Sequence, residues 1–224
     1  MVPRLTYVCM VNFSMSCFVL VGLNAFGRSR LTHLLIPVLG YKDIDGLESL
    51  AGVSDETLVE CHGHFRSFSC TSCKFTSDDV TECRNSYLSG KPHQCPQCGS
   101  LSKPDIVFFG EELPRRFQQL VEDDMNQCDL LIVQGTSLLV NPVAAMPSWV
   151  RRNVPRLLLN RELVGDFVQD ELMATMFGND KDDDSYSGRD VFLEGDCDDG
   201  VEEICRLVGE DWAEDLSKAH AECL

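Results

Sequence analysis

Two Cys-x-x-Cys pairs, Cys70/Cys73 and Cys95/Cys98, stand 21 residues apart. Knuckles at that spacing bring four thiolates into one tetrahedron, the closed shell that a structural zinc ion prefers. In "CPQCG" the Pro and Gly let the backbone turn tightly around a metal. With sulfur in every position no place remains for water, so one zinc per chain would fold the module and take no part in catalysis. Two redox-active dithiols are the competing reading. Each pair would then need to open a helix directly after a strand, and neither has that context. Residues 67–100 around these cysteines are short of long apolar runs and rich in Ser, Cys and Gly, which predicts a small zinc-ribbon module.

The rest of the chain carries a different pattern. Three short apolar runs, Leu130–Val133, Leu157–Leu159 and Val191–Leu193, each end in turn chemistry, as buried parallel strands do. Stretches of helical length separate them, around 141–152 and 162–177, and a further helix fits Val201–Val208. Upstream, Ser54-Asp55-Glu56 reads as a helix start running through Leu58-Val59 and ending at His62-Gly63. Strand alternating with helix predicts a doubly wound α/β sheet, Rossmann-like, into which the zinc module is inserted. The expected division is an atypical apolar segment at 1–40, the α/β domain at 41–66 and 101–224, and the module at 67–100.

Composition narrows the function. With 224 residues, 44% hydrophobic and 25% charged, the chain can bury a substantial core, so disorder is not expected. The net charge is −17, with dense acidic runs at 180–184 and 194–199. That field repels nucleic-acid phosphates and attracts lysine-rich partners, which argues against a zinc-ribbon nucleic-acid binder. Twelve cysteines in a chain of this length, four of them in Cys-x-x-Cys pairs, favour an intracellular protein over a disulfide scaffold. Residues 1–40 contain no acid at all, and the stretch from Leu5 to Phe26 is uncharged. It has the apolarity of a weak leader or a marginal membrane span, yet Asn12, Ser14, Ser16 and Asn24 interrupt it. A buried apolar segment is the alternative, and membrane attachment is not expected.

The strand ends point to a nucleotide. "QGTSL", "NRE" and "EGDCD" follow the three apolar runs, at the carboxyl edge where open α/β sheets bind such ligands. Gly135 lets a ligand approach the backbone, Thr136 and Ser137 offer hydroxyls and amides, and Asn160 and Glu162 suit ribose hydroxyls.

In combination, "VECHGHF", the two Cys-x-x-Cys pairs, "KPDIVFFGEELP", "DLLIVQGTSLLVNP", "LLLNRE" and "LEGDCD" resemble the sirtuins in order and spacing. The resemblance covers about residues 43–212 and leans toward the class that deacetylates tubulin and histones. It implies an NAD-dependent protein-lysine deacylase of the cytoplasm or nucleus, acting on acetylated or acylated lysine proteins. By the same resemblance His62 is the general base toward a ribose hydroxyl of NAD, a task that an imidazole with an ordinary pKa of ~6.5 suits. Gly135, Thr136, Ser137, Asn160, Arg161 and Glu162 match the NAD-binding turns, and Cys197 the residue beside the adenine. Val107, Phe109 and Gly110 match the acyl-lysine tunnel, with the backbone around 139–141 flanking the substrate peptide as an added strand. Cys61, His64 and His93 are left as bystanders or packing residues.

Two departures stand out. No G-x-G occurs, although the family opens its first strand with a Gly-rich phosphate loop, so the sheet is expected to be N-terminally incomplete. The family's T-Q-N-I-D appears as "YKDID": Asp45 is kept at the nicotinamide pocket, while Asp43 stands in place of Asn. A catalytically impaired acyl-lysine or partner-binding module is therefore the alternative function.

Overall fold

The computed structural model of the chain describes residues 7–11, 39–41, 44, 55–56, 58–77, 79–168, 188–209, 214 and 217–218. Among the described residues nine β-strands fall into two sheets. The larger is parallel throughout and contains β1 (Tyr7–Val11), β2 (Leu39–Tyr41), β3 (Leu58–Val59), β7 (Leu130–Gln134), β8 (Arg156–Asn160) and β9 (Asp190–Glu194). Its order is β3-β2-β1-β7-β8-β9. The strands thus run outward in both directions from the β1–β7 pair, which makes that pair the switch point of a doubly wound sheet.

The three apolar runs form strands as expected. In β7, Leu131 and Val133 enter a core with Phe117, Met125, Met146, Val150, Val154 and Leu158. Ile132 faces the other way and packs with Leu159, Val201 and Cys205. Burial on both faces is why this strand reads as a continuous apolar run.

Helix α1 (Val80–Leu88) lies within the cysteine module, α2 (Arg115–Gln127) precedes β7, and α3 (Cys197–Val208) follows β9. In α2 the residues Phe117, Leu120, Val121 and Met125 recur at helical spacing and dock on the sheet. Asp79 caps α1, its Oδ1 accepting from the amides of Thr81 at 3.0 Å and Glu82 at 3.2 Å.

Four details differ from the sequence reading. Leu58-Val59 is a strand paired in parallel with Gly40-Tyr41, not the middle of a helix that ends at His62-Gly63. Two consecutive residues buried on opposite faces satisfy a sheet interior, whereas a helix would bury only one side of such a pair. The stretch expected as helix at 141–152 holds only a 3₁₀ turn, Val143–Ser148, because Pro142 precedes it and Pro147 sits inside it. Helix α3 begins at Cys197, ahead of the expected Val201. Finally, the strand expected to be missing is supplied by Tyr7–Val11, which pairs with all five residues of β7, from Tyr7↔Leu130 to Val11↔Gln134. The chain after β1, where a doubly wound sheet carries its phosphate turn, lies outside the described residues. Among the described residues no helix is long and apolar enough to cross a membrane.

The smaller sheet is antiparallel, in the order β5-β4-β6, from β5 (Thr76–Ser77), β4 (Gly63–Cys70) and β6 (Ser102–Ile106). Phe68 on β4 stacks on Tyr87 of α1 with ring centroids 5.8 Å apart, and the Tyr87 hydroxyl donates to the Ser102 carbonyl. His93 is buried against Cys83, Nδ1 to Sγ 3.4 Å, so it is a packing residue of the module.

Candidate functional site

The four cysteines converge. Cys70 ends β4, Cys73 closes the turn after it, and Cys95 and Cys98 lie in the loop leading to β6. Their sulfurs all lie within 4.8 Å of one another, with Cys70–Cys98 at 3.4 Å and Cys73–Cys95 at 3.6 Å. A tetrahedral zinc with Zn–S bonds of ~2.3 Å separates its sulfurs by about 3.8 Å. The donor set and its size therefore fit a structural zinc ion.

The amides of Ser72 and Cys73 both point at the Cys70 sulfur at 3.4 Å, the inward-facing backbone donors that a bound thiolate attracts. Hydrogen bonds from Ser100, then from Cys70 and Cys73, hold the Cys98 thiol down at about 6. Cys73 has the Phe75 amide in favour of its thiolate, yet burial and its three thiol neighbours push it up to about 12. Thiols this close share their protons unequally, and a dication would take all four as thiolates.

At the carboxyl edge of the large sheet, three strand ends enclose a cleft of about 610 Å³. Gly135, Thr136 and Ser137 follow β7, Asn160 ends β8 with Arg161 and Glu162 after it, and Cys197 opens α3 after β9. All seven residues that the sequence singled out for the dinucleotide beyond the N-terminal region thus line one space. Gly195, Asp196, Asp198, Asp199 and Val164 line it too, and were missed individually although the "EGDCD" strand end had signalled the turn.

The cleft is tied together from within. Asn160 Nδ2 donates to the carbonyls of Thr136 at 3.1 Å and Glu162 at 2.8 Å, joining two strand ends. The Gly195 amide donates to the Asn160 carbonyl at 3.0 Å, joining the third. Gly135 has φ +60°, the left-handed region that glycine enters without strain. Arg161 is held on Asp196 at 2.5 Å, so the lining is acidic and rich in hydroxyl partners.

His62 lies three residues beyond the carboxyl end of β3, at the far side of the sheet from β9, and is not among the residues that line the cleft. Its carbonyl accepts from the Val107 amide at 2.9 Å, which ties it to the loop after β6. Gly63 beside it has φ +75°, and a Cβ there would stand 2.0 Å from the Asp105 carbonyl oxygen. Glycine at position 63 is thus required by the close approach of β4 to β6. Cys61 is buried, which pushes its thiol up and removes it from chemistry. Glu60 accepts both prongs of Arg66, at 2.6 and 2.5 Å, with His64 3.8 Å away.

Val107, Phe109 and Gly110 belong to the loop after β6, where Phe109 is 96% exposed. Asp43 and Asp45 lie outside the described residues.

This fold and these sites define a Rossmann-type α/β protein with an inserted tetrathiolate module. The Sir2 family model matches residues 37–142. The chain is 37% identical over 200 residues to "NAD-dependent protein deacetylase hst2" of Schizosaccharomyces pombe, covering 85% of this chain and 54% of that protein. It is 41% identical over 181 residues to "NAD-dependent protein deacetylase sirtuin-2" of Danio rerio, 79% of this chain and 46% of the other. With "NAD-dependent protein deacetylase sirtuin-3" of Mus musculus it shares 38% over 200 residues, 84% of this chain and 54% of the other. The chain belongs to the Sir2 family. It spans about half the length of these curated relatives.

Proposed function

We propose that this chain is an NAD-dependent protein-lysine deacetylase or deacylase. The observation that supports this reading is the cleft built from three strand ends at the carboxyl edge of the parallel sheet. NAD, when bound, supplies the acyl acceptor, its ADP-ribose taking the acyl group from lysine as nicotinamide leaves.

The chain's own residues bind, orient and move a proton. Thr136 and Ser137 would offer hydroxyls to the cofactor and Gly135 room for it to approach the backbone, while Asn160 and Glu162 would meet its adenosine ribose and Cys197 the adenine edge. Asp45, with Asp43 beside it, serves the nicotinamide end. With NAD bound, His62 would serve as the general base toward a ribose hydroxyl. Val107, Phe109 and Gly110 guide the acylated lysine, and the acidic surface favours histone- or tubulin-like lysine-rich proteins as partners. Zinc on Cys70, Cys73, Cys95 and Cys98 holds the 67–100 module and stays outside the chemistry. The proposed setting is the cytoplasm or nucleus.

An acetyl-lysine peptide incubated with the purified chain and NAD tests this. Nicotinamide and deacetylated peptide should form together by mass spectrometry. His62→Tyr should abolish both while keeping the fold and the zinc. Wild-type turnover in that variant would remove the general-base assignment. Peptide binding without turnover in the parent chain would favour the impaired binding module, for which Asp43 and the lack of a G-x-G loop speak.

A further inference from the structure

The segment after β6 closes on itself in an unusual number of ways. Phe108-Phe109-Gly110-Glu111 is a β-turn, the Glu111 amide donating to the Phe108 carbonyl at 3.0 Å. Gly110 has φ +89°, as the third position of a type II turn requires. The Glu111 carboxylate then returns the bond, its Oε2 accepting from the Phe108 amide at 2.9 Å.

Lys103 on β6 locks this turn from below. Its Nζ donates to Glu111 Oε2 at 3.0 Å and to the Ile106 carbonyl at 2.6 Å, and lies 4.6 Å from the centre of the Phe108 ring. One side chain thus holds the carboxylate, the strand end and an aromatic face at once. The Phe108 amide, and after it Lys103, keep the Glu111 carboxyl below the usual range. With Phe108 drawn back over Lys103, the next ring, Phe109, projects almost fully into water. An apolar ring held out by a reciprocally closed turn is pre-organised for a ligand, since the ordering cost is met before binding.

We infer that Lys103 and Glu111 are positioning residues that latch the Val107–Glu111 turn in the form that receives the acylated lysine peptide. The inference rests on the proposed deacylase reading, because that reading supplies the peptide. Neither residue touches the reacting atoms in this scheme. Both act through the backbone of Phe108 and the direction of Phe109. The latch sits at the surface, so its removal should leave the fold intact.

The test compares the parent chain with Lys103→Met, Glu111→Gln, the double variant and Lys103→Arg. KM and kcat are measured for an acetyl-lysine peptide at saturating NAD, and KM for NAD at saturating peptide. Peptide affinity is read separately by fluorescence anisotropy with NAD present, and zinc content and melting confirm folding. Either single change should raise the peptide KM and Kd about tenfold while the KM for NAD stays put. The double variant should be no worse than either single one, and Lys103→Arg should remain near the parent. Folded single variants with parental peptide affinity, or a matching rise in the KM for NAD, would overturn the latch alone. A parent chain that neither binds nor turns over the peptide would overturn the deacylase reading and the latch with it.

Discussion

Arg156 and Asp190 form a two-pronged ion pair where β8 and β9 begin, Nε donating to Oδ1 at 2.7 Å and Nη2 to Oδ2. Arg156 is 1% exposed, lies 4.7 Å from the centre of the Phe167 ring, and also donates from Nη1 to the Pro147 carbonyl at 2.9 Å. The two residues face each other in the parallel register, at the amino edge of the sheet and so opposite the cleft. Breaking a buried pair by removing one partner costs about 3–5 kcal/mol, because the other charge stays buried. Asp190→Asn should therefore lower the unfolding free energy by that amount, read as a lower urea midpoint with an unchanged m-value, while the KM for NAD in the surviving folded protein stays at its parental value. An unfolding free energy within ~1 kcal/mol of the parent would show the pair to be dispensable.

Gly63 carries the next expectation. A methyl group there meets the Asp105 carbonyl at 2.0 Å, and φ +75° is unfavourable for alanine. Strain of both kinds sums to at least about 3 kcal/mol, so Gly63→Ala should separate β4 from β6. Hydrogen exchange should show the Val107 amide, which donates to the His62 carbonyl, losing its protection first. Unchanged protection at Val107 would contradict the steric argument.

For the metal, Cys95→Ser should release zinc, and the module with its Phe68–Tyr87 stack should lose near-UV circular dichroism. Binding of structural zinc is itself folding free energy, so a chelator should act on the parent as the substitution does. Metal analysis finding no zinc in well-folded parent protein ends this reading.

Asp124 on α2 makes stability depend on pH. Its Oδ2 is buried without a hydrogen-bond partner, and burial, followed by the neighbouring Asp123, pushes the carboxyl up to about 6 from an ordinary 3.8. Between those values the folded chain holds a proton that the unfolded chain has released, so this group's contribution falls as pH rises and is flat above about 6. Asp124→Asn should thus raise stability at pH 7 by about 1 kcal/mol, a figure discounted for its partial exposure. The gain should vanish toward pH 4. Parent and variant midpoints that run parallel from pH 4 to 8 would refute it.

Local chemistry was enough for much of this. Cys70, Cys73, Cys95 and Cys98 were legible because short knuckles constrain their own geometry, so spacing alone foretells the cluster. The cores of β7 and β8 were legible because a strand buried on both faces must be apolar throughout, whereas β9 is an edge strand whose Val191 is exposed. The turns after them announced the cleft residues from Gly135 to Cys197, since a strand end that meets a ligand needs small or polar residues. The stripe of Phe117, Leu120, Val121 and Met125 in α2 was also present in the sequence, though broken by enough polar residues to pass unread.

Tertiary structure decided the rest. Leu58-Val59 is a strand only because Gly40-Tyr41 lies beside it, and two residues carry no period of their own. Tyr7–Val11 sits in an uncharged stretch that local pattern leaves equally fit for a leader, a membrane segment or a core strand. Its place comes from pairing with Leu130–Gln134, far along the chain. Arg156 looks like any strand-flanking cation until Asp190 arrives from the next strand to neutralise it. The reason is common to all three: parallel pairing and buried charge compensation are contracts between distant segments, and no window of neighbouring residues contains both parties.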